Sequence, residues 1–245
     1  MIRLSVNVNK VATLRNSRGG SIPSVVEATR VCVAAGAHGI TVHPRADERH
    51  ITRVDVPAIA HLLAPHRATV EFNIEGDPRP DLLQIVHEVR PHQCTLVPVR
   101  PGEITSQAGW PSDTPAERIR GVVADLQQRG VRVSLFIEPE DEAVKWAAQM
   151  GADRVELYTE PFAKAFKAGQ EAAERSFQRY VDAARLAHAL GLGINAGHDL
   201  DLDNLVLFRT LPHLDEVSIG HALISHALYV GLDTAVRDYL RDLGD

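Results

Sequence analysis

Eight short apolar runs, each separated from the next by a longer stretch with helical spacing, set the tightest limit on what this chain can fold into. The runs cover residues 3–8, 39–43, 69–73, 94–98, 132–137, 154–158, 191–195 and 216–219. Within each run apolar residues follow one another almost continuously, as expected for parallel strands covered on both faces. Between them, Ser24 with Glu27 three residues on predicts a capping box ahead of Val25, Ala28, Val31, Cys32 and Ala35, and Gly36 stops the pattern. Thr114, Pro115 and Glu117 predict a second box, followed by the stripe Ile119, Val122, Val123 and Leu126 and a stop at Gly130. Further helices are predicted over 141–150, over about 171–190 and, as one final element, over about 224–243. Strand and helix alternate from end to end with no linker or low-complexity break. The reading is therefore a single (β/α)8 TIM barrel with extra helices, one catalytic domain spanning residues 1–245. An open doubly wound sheet is the alternative, but no Gly-x-Gly-x-x-Gly follows an early strand.

Composition narrows the partners. A net charge of -6 lacks the clustered cations of a nucleic-acid footprint, so neither nucleic acid nor a membrane is expected as a partner. Two cysteines, Cys32 and Cys94, lie inside apolar stretches and read as small buried hydrophobes. The first residues run straight into a strand pattern, and no stretch of 18 apolar residues follows, so the expected compartment is the cytoplasm.

In a barrel of this class the active site lies at the C-terminal ends of the strands. There the sequence places Asn7, Asn9 and Lys10 after the first run, and His43, Arg45, Arg49 and His50 after the second. The third run carries Glu71 and Asn73, and the fourth leads towards Thr105. The last two end in Gly197-His198-Asp199 and Gly220-His221. Glu71 sits in Ala68-Thr69-Val70-Glu71-Phe72, where an ionised carboxylate is costly unless paired. A structural ion pair inside the barrel is one reading. The other is a proton-transfer group whose burial beside histidines tunes its pKa. Cations around His43 suit phosphate or carboxylate ligands, and the two Gly-His steps suit backbone N–H contacts to a phosphate. Histidines and a glutamate could also ligate zinc or iron. No local metal-ligand spacing appears, and Lys10, Arg45 and Arg49 disfavour a cation beside them, so no metal site is expected.

These stretches resemble the pyridoxine 5'-phosphate synthase family over essentially the whole chain. The similarity is carried by Asn7, by Ala12-Thr13-Leu14-Arg15-Asn16-Ser17-Arg18-Gly19 and by Gly39-Ile40-Thr41-Val42-His43-Pro44-Arg45. It continues through Arg49-His50-Ile51-Thr52, Leu96-Val97-Pro98, Val133-Ser134-Leu135-Phe136-Ile137, Asn195-Ala196-Gly197-His198 and Ile219-Gly220-His221-Ala222. The resemblance implies an enzyme that joins 3-amino-2-oxopropyl phosphate with 1-deoxy-D-xylulose 5-phosphate, forming pyridoxine 5'-phosphate, phosphate and water in vitamin B6 biosynthesis, without cofactors. It implies His43, Glu71 and His198 as the acid–base residues. Asn7, Arg18, Gly220 and His221 would hold the aminoketone phosphate, and Arg45, His50 and Thr105 the deoxyxylulose phosphate. His198 would serve imine formation, Glu71 the carbon and oxygen protons, and His43 closure and water loss. A homo-octamer is implied as well.

This sequence departs from the family pattern in places. Asn7-Val8-Asn9-Lys10 stands where many members read Asn-x-Asp-His, Asp199 stands where glycine is common, and Tyr158-Thr159-Glu160 replaces His-Thr-Gly. Asn9, Lys10 and Asp199 are therefore candidate substrate contacts of altered chemistry. Two rival readings are a Schiff-base aldolase using Lys10, the one lysine at a strand end, and a non-catalytic barrel that binds a phosphorylated metabolite.

Overall fold

The computed structural model describes residues 1–99 and 106–244. Eight parallel strands close into a barrel in sequence order. They are β1 (Arg3–Asn7), β2 (Gly39–Val42), β3 (Glu71–Gly76), β4 (Gln93–Leu96), β5 (Arg132–Ile137), β6 (Arg154–Tyr158), β7 (Gly193–Gly197) and β8 (Leu214–Ile219). Among the described residues the early helices are α1 (Asn9–Asn16), α2 (Val25–Ala34), α3 (Asp55–Leu63) and α4 (Pro80–Val89). The later ones are α5 (Ala116–Gln128), α6 (Asp141–Gln149), α7 (Glu160–Ala168), α8 (Gln170–Ala189), α9 (Leu202–Phe208), α10 (His221–Val230) and α11 (Leu232–Leu243). The expected (β/α)8 barrel with extra helices is what the chain forms. No described helix is long and apolar enough to cross a membrane.

Side chains alternate along each strand, and the two faces differ in kind. Leu4, Ile40, Phe72, Val133, Val155, Ile194 and Val217 point outward and are buried under the helices, where they form the apolar core. The inward positions are mostly polar, apart from a small cluster of Val97, Phe136 and Tyr158 towards the mouth. Ser5 and Thr41 share a hydroxyl hydrogen bond of 2.7 Å, Asn73 donates to the Thr41 hydroxyl at 3.3 Å, and the Thr95 hydroxyl donates to Asn73 at 3.1 Å. Below this ring, at the strands' N-terminal ends, Arg3 pairs with Glu71 at 2.6 Å and Arg132 closes on the other oxygen of the same carboxylate. The barrel is thus filled by hydrogen bonds and charges, and its apolar core lies in the layer outside the sheet.

Several boundaries differ from the sequence reading. β3 starts at Glu71 and runs to Gly76, later than the predicted 69–73, because the apolar signal of Val70-Glu71-Phe72 begins before the ladder does. β7 likewise starts at Gly193. Ser24 caps α2 by accepting from the Glu27 N–H at 3.2 Å, but the Glu27 carboxylate pairs with Arg30 instead of closing a box. Thr114 caps nothing: α5 starts at Ala116, and the Thr114 carbonyl accepts from the Trp146 indole at 3.0 Å. The expected final helix is two, α10 and α11, broken at Gly231, whose φ of 86° lies in the region open to glycine.

Candidate active site

The strands' C-terminal ends surround a cavity of about 340 Å³. Its organisation starts at the β1–α1 junction. Asn7 accepts from the Asn9 N–H at 3.0 Å, while Asn9 in turn accepts from the His43 N–H at 2.9 Å. Asn7 also donates to Glu75 at 3.4 Å, and the His43 Nδ1 lies 3.9 Å from the same carboxyl. One pair of amides therefore ties the end of β1 to the ends of β2 and β3. On the far side His198 sits between Phe136 and Tyr158, with ring centroids 5.1 and 5.4 Å away. His198 and Asp199 have φ of 84° and 56°, a conformation uncommon for residues with side chains. It is held by the Thr159 hydroxyl, which contacts the carbonyls of Gly197 and His198, and by Asn204, which donates to the Asp199 carbonyl at 3.0 Å. Gly197 is required for another reason: a Cβ there would lie 2.7 Å from Glu156 Oε1 and 3.0 Å from the Ser218 carbonyl.

The loop after β2 is braced from outside the cavity. Arg15 forms a two-pronged pair with Asp55 at 2.6 and 2.9 Å and donates to the His50 carbonyl at 3.1 Å. Asn16 reaches that carbonyl at 2.8 Å, and Thr52 closes on Asp55 through its N–H and hydroxyl. Arg79, paired with Asp77 and Asp81, bonds the Pro44 carbonyl and joins the loops after β2 and β3. His50 Nδ1 accepts from the Ile51 N–H at 2.9 Å, so a neutral His50 carries its proton on Nε2.

Electrostatics at the mouth invert the usual charge states. Burial is the largest influence on Glu75, and the neighbouring Glu156 and Glu216 add to it, so its carboxyl is held well above the usual range. Burial, then Glu216, pushes Glu156 up to about 8, against a lowering hydrogen bond from Thr95. Burial, followed by the charges of His50, Arg45 and Arg79, drives His43 well below the ordinary imidazole value. Burial and Arg45 bring His50 to about 4, and burial lowers His198 while Asp199 and Glu160 oppose it. Near neutral pH the cavity thus presents protonated carboxyls as donors beside neutral imidazoles as acceptors. That set can move protons in both directions.

Of the residues singled out in the sequence, Asn7, Asn9, Lys10, His43, Arg45, His50, His198, Asp199, Gly220 and His221 all line this cavity. Gly220 stands at the N-terminus of α10, and a Cβ on it would meet Asn7 at 3.1 Å. Thr105 lies outside the described residues. Arg18 is exposed beyond the end of α1 and is not among the lining residues. Glu71 requires correction. It is the first residue of β3, at the opposite end of the barrel from the cavity, with both oxygens taken by Arg3 and Arg132. Those cations hold its carboxyl below the usual range against the opposing effect of burial. Of the two readings the sequence left for Glu71, the ion pair is the one the geometry supports. The carboxyl at the mouth is Glu75, four residues and about 13 Å further along the strand. Sequence reasoning also missed Glu156, although Val155-Glu156-Leu157 is the same signal, a carboxylate inside an apolar run. Among the described residues no group of three or more His, Cys, Asp or Glu is placed to hold a metal ion.

Comparisons with known proteins agree with this architecture. Residues 4–245 match the family described as Pyridoxal phosphate biosynthesis protein PdxJ. The chain is 52% identical over 240 residues to a pyridoxine 5'-phosphate synthase of Bacteroides thetaiotaomicron, covering 98% of each chain. It is 51% identical to that of Porphyromonas gingivalis over 240 residues, again 98% of each. To that of Leptospira biflexa it is 47% identical over 253 residues, covering 99% of this chain and 97% of the relative. Among solved structures it is similar to a thiamine phosphate pyrophosphorylase from Pyrococcus furiosus, with a TM-score of 0.63 at 13% identity, covering 99% of this chain and 95% of that one. At that identity the likeness shows the shared barrel alone.

Proposed function

The chain belongs to the pyridoxal phosphate biosynthesis protein PdxJ family, and on that premise we propose that His43, Glu75 and His198 are the proton-transfer groups of a pyridoxine 5'-phosphate synthase. The reaction condenses 3-amino-2-oxopropyl phosphate with 1-deoxy-D-xylulose 5-phosphate, giving pyridoxine 5'-phosphate, phosphate and water. Joining the amine to the ketone expels water. Loss of phosphate, aldol-type closure and dehydration then complete the ring. Each step takes a proton from nitrogen or carbon and delivers one to an oxygen, which departs in the eliminations and stays as a hydroxyl in the aldol-type closure.

The observation that carries the assignment is the placement of Glu75 beside His43, 3.9 Å apart at the mouth, with opposite proton affinities. Protonated Glu75 donates to a leaving oxygen while neutral His43 accepts, and the pair is reset by the reverse exchange. Glu75 thereby takes the role first given to Glu71. His198, flanked by Asp199 and Glu160, accepts the amine proton during imine formation. Arg45 and His50, on the loop braced by Arg15 and Asp55, suit one phosphate. Gly220 and His221, opening the ten-residue α10, suit the other. Asn9, Lys10 and Asp199 supply hydroxyl and carbonyl contacts in the form particular to this chain.

Residues 1–245 act as one catalytic domain in this reading, the compartment is the cytoplasm, and the assembly is a homo-octamer. Support for assembly comes from α10, whose Leu228 and Tyr229 are 72% and 88% exposed. Purified protein incubated with both substrates should form the pyridoxine chromophore and release phosphate, and neither should appear with one substrate alone. Borohydride should trap no adduct at Lys10. Trapping would sustain the aldolase, and binding without turnover would sustain the metabolite-binding barrel.

A further inference from the structure

Inside the barrel, between the cavity and the ion pairs at the base, three adjacent strands place Glu156, Asn195 and Glu216 side by side. Glu156 of β6 is opposite Asn195 of β7, and Asn195 is opposite Glu216 of β8. Both carboxyls are 2% exposed. The amide between them is oriented by a cation: Arg154 donates to Asn195 Oδ1 at 2.8 Å, so that Asn195 Nδ2 faces Glu216 and donates to it at 3.3 Å. The carbonyl of this amide is taken by Arg154 and one of its two N–H groups by Glu216. Glu156 Oε2 is buried with no hydrogen-bond partner, and the carboxyl's hydrogen bond comes from Thr95.

The charges around Glu156 show the same bias. Towards the mouth Glu156 shares the cavity with Glu75, Glu160, Asp199, Lys10, Arg45 and the histidines His43, His50 and His198. Glu216 lies across on β8, and at the base are Glu71 and the cations Arg3, Arg132 and Arg154, two of them bonded to Glu71. The charge of Arg154 reaches Glu216 through Asn195. We propose that Glu216 is a positioning residue: by holding the charge of Arg154 through Asn195, it leaves Glu156 as the proton-bearing carboxyl at the floor of the reaction cavity. The bland alternative is that Glu216 merely satisfies Asn195, a role in which its charge would not matter.

The electrostatics have the same sense. Glu216 is raised by burial and Glu71, with Arg154, Arg132 and Arg3 opposing, while Glu156 is raised by burial and then by Glu216 with no cation opposing it. A charged Glu216 favours the proton on Glu156. What that proton does in turnover rests on the synthase reading above, but the proton itself can be observed without turnover.

The test is infrared titration of the protonated-carboxyl band of the whole protein from about pH 5 to pH 9. The Glu156 contribution is assigned by its disappearance in Glu156→Gln and the Glu216 contribution by Glu216→Gln. In Glu216→Gln the Glu156 band should vanish roughly one pH unit lower than in the unsubstituted protein. Glu216→Asp, which keeps the charge, should leave it near its original position. With substrates, the basic limb of kcat in Glu216→Gln should move the same way, a loss of roughly tenfold on the alkaline side. A Glu156 band that does not move in Glu216→Gln overturns the proposal. If that variant does not fold, Glu216→Asp assigns the Glu216 band by its displacement: in the unsubstituted protein Glu216 must titrate before Glu156, and the reverse order overturns the proposal. A shifted band in a protein without synthase activity would uphold the proposal and refute the synthase reading, and normal turnover with an unmoved band would do the opposite.

Discussion

Glu71 and Glu75 stand on one strand, face the same way and share a barrel, yet their surroundings make them opposites. At the base, Glu71 lies between Arg3 and Arg132 and is held ionised. At the mouth, Glu75 has an amide contact at 3.4 Å and a neutral imidazole at 3.9 Å, with two further carboxyls as neighbours, and is held protonated. A buried charge pair with good geometry fixes structure, and removing one partner leaves an uncompensated charge. A buried carboxyl without a cation stays neutral and keeps its proton available for transfer. The difference between scaffold and chemistry here is the presence of two guanidinium groups, not the type of residue.

The strongest way to break the comparison is Glu75→Gln. It should lower kcat about a thousandfold, because it keeps shape and removes the transferable proton. Its unfolding midpoint should be unchanged or higher, and substantial residual turnover would return the chemistry to another group. Glu71→Gln should do the reverse, lowering stability by about 3 kcal/mol in urea unfolding while leaving kcat unchanged. A large loss of kcat in a fully folded Glu71→Gln protein would dissolve the distinction.

The pH dependence of those two stability changes sharpens it. Glu71 has a depressed folded value, so its contribution is present above its unfolded value near 4.5 and is lost as pH falls through the folded one. The penalty of Glu71→Gln should therefore shrink in acid. Glu75 has a raised value, so the native state binds the extra proton and loses stability as pH rises above about 4.5. Replacing it should become progressively more favourable towards alkaline pH, and parallel curves for the two variants would contradict the assigned charge states. The smallest effect is expected at the outer brace. Asp55→Asn should raise KM about fivefold with kcat retained, since Arg15 and Asp55 position the His50 loop from outside the cavity.

Much of the fold was legible because short strand runs alternate with helical spacing from end to end, and all eight strands overlap such runs, although each alternates an outward apolar residue with an inward one. The errors came where that signal is blind. Residues 71 and 75 share a strand face, so periodicity could not say which lies at the mouth. Only the register of β3 against β2 and β4 decides that, with Gly39 opposite Glu71 and Leu96 opposite Gly76. Arg3, Arg132 and Arg154 read as strand edges in the sequence, and nothing local shows that they converge on Glu71 and Asn195. Glu156 carries the same signal as Glu71, a carboxylate inside an apolar run, but only the closed barrel shows that it faces Glu75 and Glu216. The mouth histidines are easier to place, since His43 ends its run and His198 and His221 follow theirs within three residues.

The polar interior has a consequence for how this chain tolerates change. Phe72 and Ile74 pack outward into the apolar layer, while Glu71, Asn73 and Glu75 point into the barrel between them. A saturation scan of β3 should accordingly beat with a period of two. Outward sites should accept other hydrophobes of similar volume and reject polar residues. Inward sites should reject hydrophobes, with the penalty changing from lost folding at residue 71 to lost turnover at residue 75. Evolution could therefore repack the outer layer and retune the reaction almost independently, through neighbouring codons.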